Sequence, residues 1–452
     1  MDITIIGGGT LGVKLAASLY HEEHNITLIE TDSKKLEGLV SKLDIQGING
    51  SGTHIADLKE ANVSESDLVI AVTQSDENNI LVCLMAKKLG AKNTIARVRN
   101  PEYNTQFEFM RNDLGVSFMI NPDFSAALEV SRVLQYPDAL NIETFANGFI
   151  DMAEFKISED SSLCNSRIGD MSSKHTKNMI IGAVIRNGEV FIPNGDFVLK
   201  AKDKIYITGA HKDLVKISKA LMKTKKQTIK DVMIIGGSPL GIYLADMLEA
   251  LGKNVVIIDK DRAKCKNIYS LVPYATVING DANDHDFLIE EGIEGMDAVV
   301  SLTDSDETNF LLALFAQKVG VKKTVTKVKD NRLSKLLDEL GVDTVINVAD
   351  ITASTISQYI RARENVSSSY MKTLYKLVDG EIEATEFLAG DYVTFLGTPL
   401  SSLNLKKNIL VAAINRKNTI IFPNGTDCIQ SGDLVIIVSK DRHIKSLNDI
   451  LQ

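Results

Sequence analysis

The chain has 452 residues, 44% of them hydrophobic and 24% charged, with 50 basic and 59 acidic side chains and a formal net charge of −9. This describes a folded protein with an ordinary core. It argues against a long disordered segment, and against a general nucleic-acid binder, which would show a basic face or stripe. At roughly 150 residues per domain, length alone suggests about three domains. The four cysteines, Cys83, Cys164, Cys265 and Cys428, are widely spaced and form no Cys-x-x-Cys pair. A reducing compartment is therefore expected, without a zinc ribbon or disulfide scaffold. No basic region precedes the strand-like start, so no signal peptide is expected, and no apolar run approaches the ~18 residues that span a bilayer.

The first elements are a buried strand at Ile3–Ile6, a glycine loop, and a helix with Leu11, Leu15, Ala16 and Leu19 on one face. Strands follow at Ile26–Ile29 and Leu68–Val72, then a helix from Glu77 to Leu89 that stops at Gly90, then a strand at Thr94–Val98. Such alternation implies a parallel, doubly wound sheet. Next comes an amphipathic helix capped by Asp123 and running to Leu134. Phe124, Ala127, Leu128, Ser131 and Leu134 are expected on its apolar face, which would serve intrachain packing or dimerisation. The pattern then changes to a hairpin: Ile180–Arg186, the turn Asn187-Gly188, and Glu189–Ile192. The lysine-rich run from Lys223 to Lys230 reads as a solvated linker.

Beyond the linker the chain repeats itself. Thr73–Asn79 returns as Thr303–Asn309, and Ile48-Asn49-Gly50 as Ile278-Asn279-Gly280. Ile6-Gly7-Gly8 returns as Ile235-Gly236-Gly237, Lys177-Asn178 as Lys407-Asn408, and Pro193-Asn194-Gly195 as Pro423-Asn424-Gly425. The expected architecture therefore becomes four domains. Two Rossmann-like α/β domains with doubly wound parallel sheets span 1–137 and 231–363, and each is followed by a small α+β domain, at 138–222 and 364–452. A helix at Asp350–Ile360 is the counterpart of the Asp123 helix.

Gly7-Gly8-Gly9-Thr10-Leu11-Gly12 follows a strand and opens a helix. In such a turn the first motif glycine (Gly7) permits the bend, the second (Gly9) lets a pyrophosphate approach the backbone, and the third (Gly12) packs helix on strand. The helix N-terminus offers free N–H groups to phosphate. Glu30 ends the next strand, where a carboxylate accepts from ribose hydroxyls and repels a 2′-phosphate, so NADP is disfavoured. The second copy reads Gly236-Gly237-Ser238-Pro239-Leu240-Gly241, with Asp259 as its acid. Ser238 replaces the second motif glycine and Pro239 lacks an N–H, so this site is expected to be weaker, differently selective or empty.

Two further loops, Thr73-Gln74-Ser75-Asp76 and Thr303-Asp304-Ser305-Asp306, lie at the edge where doubly wound sheets bind ligands. Helix capping by Ser75 is the other use of the same residues. Arg97 and Arg99 are expected to alternate outward from the fifth strand, with Lys327 and Lys329 in the second copy. Arginine grips phosphate bidentately whereas lysine acts as a point charge, so the first site looks better suited to an extra phosphate, as in ATP; a solvated strand end is the alternative.

No catalytic or metal-binding residues are expected. The histidines and cysteines do not recur between copies, His21-Glu-Glu-His24 falls where an exposed loop is expected, and no Tyr-x-x-x-Lys dyad occurs. The reading is a nucleotide-binding module without chemistry. Its alternative, an NAD-dependent oxidoreductase, needs a substrate pocket with a proton donor. A redox-sensing transcription factor would need a basic helix-turn-helix.

Together these residues resemble the TrkA family, the regulatory subunits of Trk-type potassium uptake systems. The resemblance is carried by Gly7–Gly12 with Glu30, Asn49-Gly50-Ser51-Gly52, Ala71–Glu77, Ile95–Tyr103 and Ile180–Arg186, and it covers the whole chain in duplicate. It implies two RCK N-terminal nucleotide-binding domains, each followed by an RCK C-terminal domain. It also implies a cytoplasmic homotetramer, peripheral on the inner face of the cell membrane, bound to a membrane potassium-translocating subunit of TrkH type. Ligands would be NAD(H) or ATP/ADP, whose exchange changes the shape of this ring-like tetramer and hence gating. Carried onto this chain, the first site is Gly7 to Gly12, Glu30, Ser51, Gly52, Thr73, Gln74, Arg97 and Arg99. The second is Gly236 to Gly241, Asp259, Asp281, Thr303, Asp304 and Lys327. The Asp123–Leu134 helix would pair protomers.

Overall fold

Isoleucine- and valine-rich strands buried on both faces build the centre of the first domain. Ile3, Ile5 and Ile6 are at most 2% exposed, as a strand covered by helices on both sides requires. The computed structural model describes residues 1–100, 103, 115–135, 141–145, 150–173, 179–209, 214, 229–330, 342–364, 371–377, 381–417, 419–440 and 444–452. The linker at 223–228, the Lys177-Asn178 pair, and Pro101 and Glu102 lie outside these residues.

The elements of the first domain are β1 (Asp2–Ile6), α1 (Thr10–His21), β2 (Asn25–Glu30), α2 (Ser33–Val40), β3 (Gln46–Asn49), α3 (Ile55–Glu60), β4 (Leu68–Ala71), α4 (Asp76–Leu89), β5 (Asn93–Arg97), β6 (Phe118–Ile120) and α5 (Pro122–Gln135). The sheet order is β3-β2-β1-β4-β5-β6, all parallel. The direction of winding reverses between β1 and β4, and ligands bind such sheets at that crevice. The first small domain has β7 (Asn141–Phe145), β8 (Ile150–Lys156), β9 (Met179–Arg186), β10 (Glu189–Phe191) and β11 (Lys204–Gly209), in the antiparallel order β10-β9-β11-β8-β7. The Asn187-Gly188 hairpin is as expected, with φ of 54° and 81°, the left-handed pair that a tight two-residue turn needs.

The second copy repeats both. Its large domain comprises β12 (Asp231–Ile235), α6 (Pro239–Ala250), β13 (Asn254–Asp259), α7 (Arg262–Leu271), β14 (Thr276–Asn279), α8 (His285–Glu290), β15 (Ala298–Ser301), α9 (Asp306–Lys318), β16 (Lys323–Lys327), β17 (Thr344–Ile346) and α10 (Val348–Glu364). The sheet order, β14-β13-β12-β15-β16-β17, is the same. The second small sheet comprises β18 (Met371–Leu377), β19 (Ile382–Leu388), β20 (Ile409–Arg416), β21 (Thr419–Ile421) and β22 (Leu434–Ser439).

Domains of one type cluster together. One compact unit holds Met1–Ser131 with Ile229–Ser357, and the other holds Arg132–Thr228 with Gln358–Gln452. Within the first unit, α5 of one copy meets α6 of the other. The Phe124 ring stands edge-on to Tyr243, centroids 5.6 Å apart, and the Asn121 amide donates to the Tyr243 hydroxyl oxygen at 3.1 Å. Lys14 on α1 likewise bonds Asp350 on α10. Within the second unit, Phe145, Ile150, Met152 and Tyr206 share one core with Ile382, Ala384, Ile436 and Val438.

Two expectations change. The face buried by α5 carries Ala126, Ala127, Val130, Ser131 and Leu134, whereas Phe124 and Leu128 remain 43% and 36% exposed. Those two lie on the neighbouring flank of the helix, where Phe124 reaches Tyr243 instead of the core. His24, expected in an exposed loop, is buried, with its Nδ1 3.3 Å from the Met1 amino group.

Candidate functional site

In each large domain the glycine turn is latched to the acid that ends the next strand. Gly7 and Gly236 have φ of +105° and +106°, a conformation that side chains resist. The Gly8 N–H donates to Glu30 Oε2 at 2.5 Å, and the Gly237 N–H to Asp259 Oδ2 at 2.8 Å. Burial pushes the Glu30 carboxyl up, but hydrogen bonds from the Asp32 and Gly8 N–H groups and from Thr31 outweigh it and hold the group below the ordinary glutamate value. Glu30 is therefore ionised at neutral pH.

The turns differ where they open their helices. Gly9 begins α1 without any side-chain cap, and a Cβ there would meet nothing within 4 Å. Gly12 is tightly packed, since a Cβ would fall 1.9 Å from the Gly7 carbonyl oxygen. Leu11, Gly12, Leu240 and Gly241 are buried in helix-on-strand packing. In the second copy Ser238 caps α6 with its own hydroxyl, accepting from the Gly241 N–H at 3.4 Å, and Pro239 fills the next position.

The loops after β4 and β15 complete the crevice. Gly7 and Gly236 each abut them, at Val72–Thr73 and Leu302–Thr303. Ser75 caps α4, accepting from the Asn78 N–H at 3.1 Å and donating to Glu77 at 2.8 Å; Ser305 does the same with Thr308 and Glu307. Gln74 and Asp304 are exposed at the same position in the two loops. Ser51 donates its N–H to Asp57 at 2.6 Å, and Gly52 packs on Ile6. Asp281 accepts from the N–H and side chain of Asn283, which hold its carboxyl below the ordinary range.

In the second copy a cleft of 360 Å³ gathers Gly236, Gly237, Ser238, Asp259, Asp281, Thr303 and Asp304, together with Lys260 and Lys264. Pro239, Leu240, Gly241 and Lys327 are not among its lining residues.

Arg97 and Lys327 do not point outward as expected; both are buried. Arg97 donates to the Thr73 carbonyl, and Lys327 to the Leu302 carbonyl at 2.9 Å, so each ties its strand end to the loop beside the glycine turn. Burial, with help from the Arg99 charge, brings the Arg97 guanidinium down to about 10. Its Nε is buried without a hydrogen-bond partner. Arg99 and Lys329 are the solvent-facing cations.

Sequence reasoning missed the residue that braces each loop. Asn79 is 0% exposed; it accepts from the Thr73 N–H and hydroxyl and donates to the Thr73 and Arg97 carbonyls. Asn309 repeats all four bonds with Thr303 and Lys327. Its recurrence 230 residues later was the available signal.

The TrkA-N domain family matches residues 3–122 and 232–348, and the TrkA-C domain family matches 152–222 and 384–452. The Trk system potassium uptake protein TrkA homolog of Archaeoglobus fulgidus is 33% identical, covering 100% of both chains. The crystal structure of the GsuK RCK domain superposes with a TM-score of 0.62 at 18% identity, covering 99% of this chain and 94% of that one. The GsuK channel bound to NAD gives 0.63 at 18%, covering 99% and 78%. The fold is thus that of RCK domains, large and small, in duplicate, and the chain belongs to the TrkA family of Trk system potassium uptake proteins.

Proposed function

We propose that the chain is a nucleotide-sensing regulatory subunit of a potassium uptake system, without chemistry of its own. The observation that carries this reading is the pair of acid-latched glycine turns at the switch points of two parallel sheets. The first turn suits a dinucleotide or an adenine nucleotide. Open space at Gly9 and the uncapped N–H groups that begin α1 receive phosphate oxygens, while Glu30 accepts from the ribose. The ligands are NAD(H) and ATP/ADP; the GsuK channel, of the same fold, is described as bound to NAD.

On this reading the first site is Gly7 to Gly12, Glu30, Ser51, Gly52, Thr73, Gln74, Arg97 and Arg99, and the second is Gly236 to Gly241, Asp259, Asp281, Thr303, Asp304 and Lys327. The domains run 1–137, 138–222, 231–363 and 364–452. The partner is a membrane potassium-translocating subunit of TrkH type, met on the cytoplasmic side of the membrane by a homotetramer. Among the described residues no helix is long and apolar enough to cross a membrane.

Ligand exchange acts by population shift, which requires unequal affinity for two shapes of the assembly. Phosphate number, read at Arg97 and Arg99, supplies that inequality. Calorimetric titration of the full chain with NAD, NADH, ATP and ADP tests the reading, and failure of all four to bind sinks it. Arg99→Ala, at an exposed side chain, is expected to weaken ATP more than ADP; equal loss for both would remove phosphate counting from the account.

A further inference from the structure

We propose that the two clefts take different ligand classes, and that the second is a site for a nucleoside or nucleoside monophosphate that rejects a pyrophosphate. This rests on the reading of the glycine turns as nucleotide sites.

The two crevices share one architecture, so their differences can be compared position by position. Phosphate binding at a helix start needs free N–H groups. On α6, Pro239 has none and the Gly241 N–H is already given to Ser238 Oγ. On α1 no side chain competes.

Charge differs in the same sense. Gln74 beside the first turn is replaced by Asp304 beside the second. Among the acids around Lys327, Asp304 acts on its charge most strongly, and Lys329 donates to the Asp304 carbonyl at 2.7 Å. Arg97 has no carboxylate in the loop position that Asp304 takes, where Gln74 is neutral; the acids that act on it are Asp76 and Asp123, both of which have a counterpart or a share in the second copy. An incoming phosphate therefore meets a neutral amide beside the first turn and a carboxylate beside the second.

Lys260 and Lys264 also line the second cleft, but they flank the acid Asp259, and the Lys260 charge acts on Asp281. The volume, 360 Å³, lies at the small end of ligand sites, which run from roughly 300 to 1,000 Å³.

The test uses the full chain carrying Gly9→Asp. A side chain there enters open space, and its carboxylate repels phosphate from the first cleft without a clash. Calorimetry with AMP, ADP and NAD is expected to show one AMP per chain, bound about tenfold or more tighter than ADP or NAD. Adding Asp304→Gln, or separately Ser238→Gly, should narrow the AMP-to-ADP ratio by about tenfold. ADP or NAD binding as tightly as AMP in the Gly9→Asp chain overturns the proposal, as does a ratio that neither substitution moves. Loss of AMP binding in Gly9→Asp, with NAD still bound once per wild-type chain, overturns it too and leaves the first site standing. A wild-type chain that binds no nucleotide removes both.

Discussion

Asn79 and Asn309 show how much one buried polar side chain can fix. Each spends its amide on four bonds that join the loop, the strand end and the helix start around one crevice. Replacing Asn79 by Ala strands several buried groups, and each such group costs about 1–3 kcal/mol. The expected loss is about 3 kcal/mol in urea unfolding, with nucleotide affinity falling at the first cleft alone; an unchanged midpoint would show that Asn79 braces nothing. The glycines separate in the same way. Gly12→Ala, with a Cβ 1.9 Å from the Gly7 oxygen, should lower the melting temperature of the ligand-free chain. Gly9→Ala, in open space, should leave melting unchanged and weaken nucleotide binding, and the reverse pattern would exchange their roles. The glycines and acids were legible because the motif fixes their spacing. Asn79 was not, since a polar residue inside a helical segment gives no periodic sign of burial. Arg97 was misread for a related reason: strand alternation assigns a face, but β5 is covered on both faces, and the guanidinium is taken in by the Thr73 carbonyl.

Among elements, the strands β1, β2, β4 and β5 and the helix α4 were legible to within a residue or two, and α1 by its buried face, Leu11, Leu15, Ala16 and Leu19. The edge strand β3 escaped because Ile48 is the one buried residue in Gln46–Asn49, too few for any period. The contacts of α5 and α10 were equally hidden, being made between copies. They also differ in kind. The Tyr243 junction combines an aromatic pair with a hydrogen bond, so Tyr243→Ala should cost about 2 kcal/mol. Lys14 and Asp350 form a partly exposed ion pair, and Lys14→Ala should cost under about 1 kcal/mol and less still in high salt. Equal costs for the two would contradict this ranking.

The strand ends carry a second repeated device, Asp67 with Lys92 at 2.7 Å and Asp297 with Lys322 at 2.8 Å. The bond from Lys92 holds the Asp67 carboxyl below its ordinary value. At Asp297 burial pushes up, but Lys322 and the Lys230 and Asp231 N–H groups outweigh it. Both folded values are depressed, so the stability these acids add is present above the unfolded value of about 3.9 and is lost as pH falls through the folded values. The acid limb of a urea-midpoint profile should flatten in an Asp67→Asn, Asp297→Asn double variant, and an unaltered limb would assign acid unfolding to other groups.

At the scale of the whole molecule, the repeat seen in sequence is not the unit of packing. Similarity divides the chain near residue 226, yet the compact units join large domain to large domain and small to small. Self-comparison reveals two copies but cannot say which faces they share, because the residues that meet across copies lie more than a hundred positions apart. The faces have a direct consequence for a half-chain ending at residue 222. Its small domain would present Phe145, Ile150, Met152, Val190 and Tyr206, all under 5% exposed in the full chain, where the second copy now supplies Ile382, Ala384, Ile436 and Val438. An apolar patch of that kind does not stay open in water. The partner it fits is already related in sequence, so two half-chains can exchange the internal pseudo-symmetric pairing for an isologous dimer. Light scattering of the 1–222 fragment should therefore give twice the chain mass, and Met152→Arg, which puts a charge into the shared core, should prevent that dimer. Covalent tandem linkage in the full chain raises the effective concentration of one half for the other, which lets the second copy diverge at Ser238 and Asp304 while still completing the fold of the first. A 1–222 fragment that is folded and monomeric at high concentration would show that the small-domain face needs no partner, and that the duplication is held together only by the large domains.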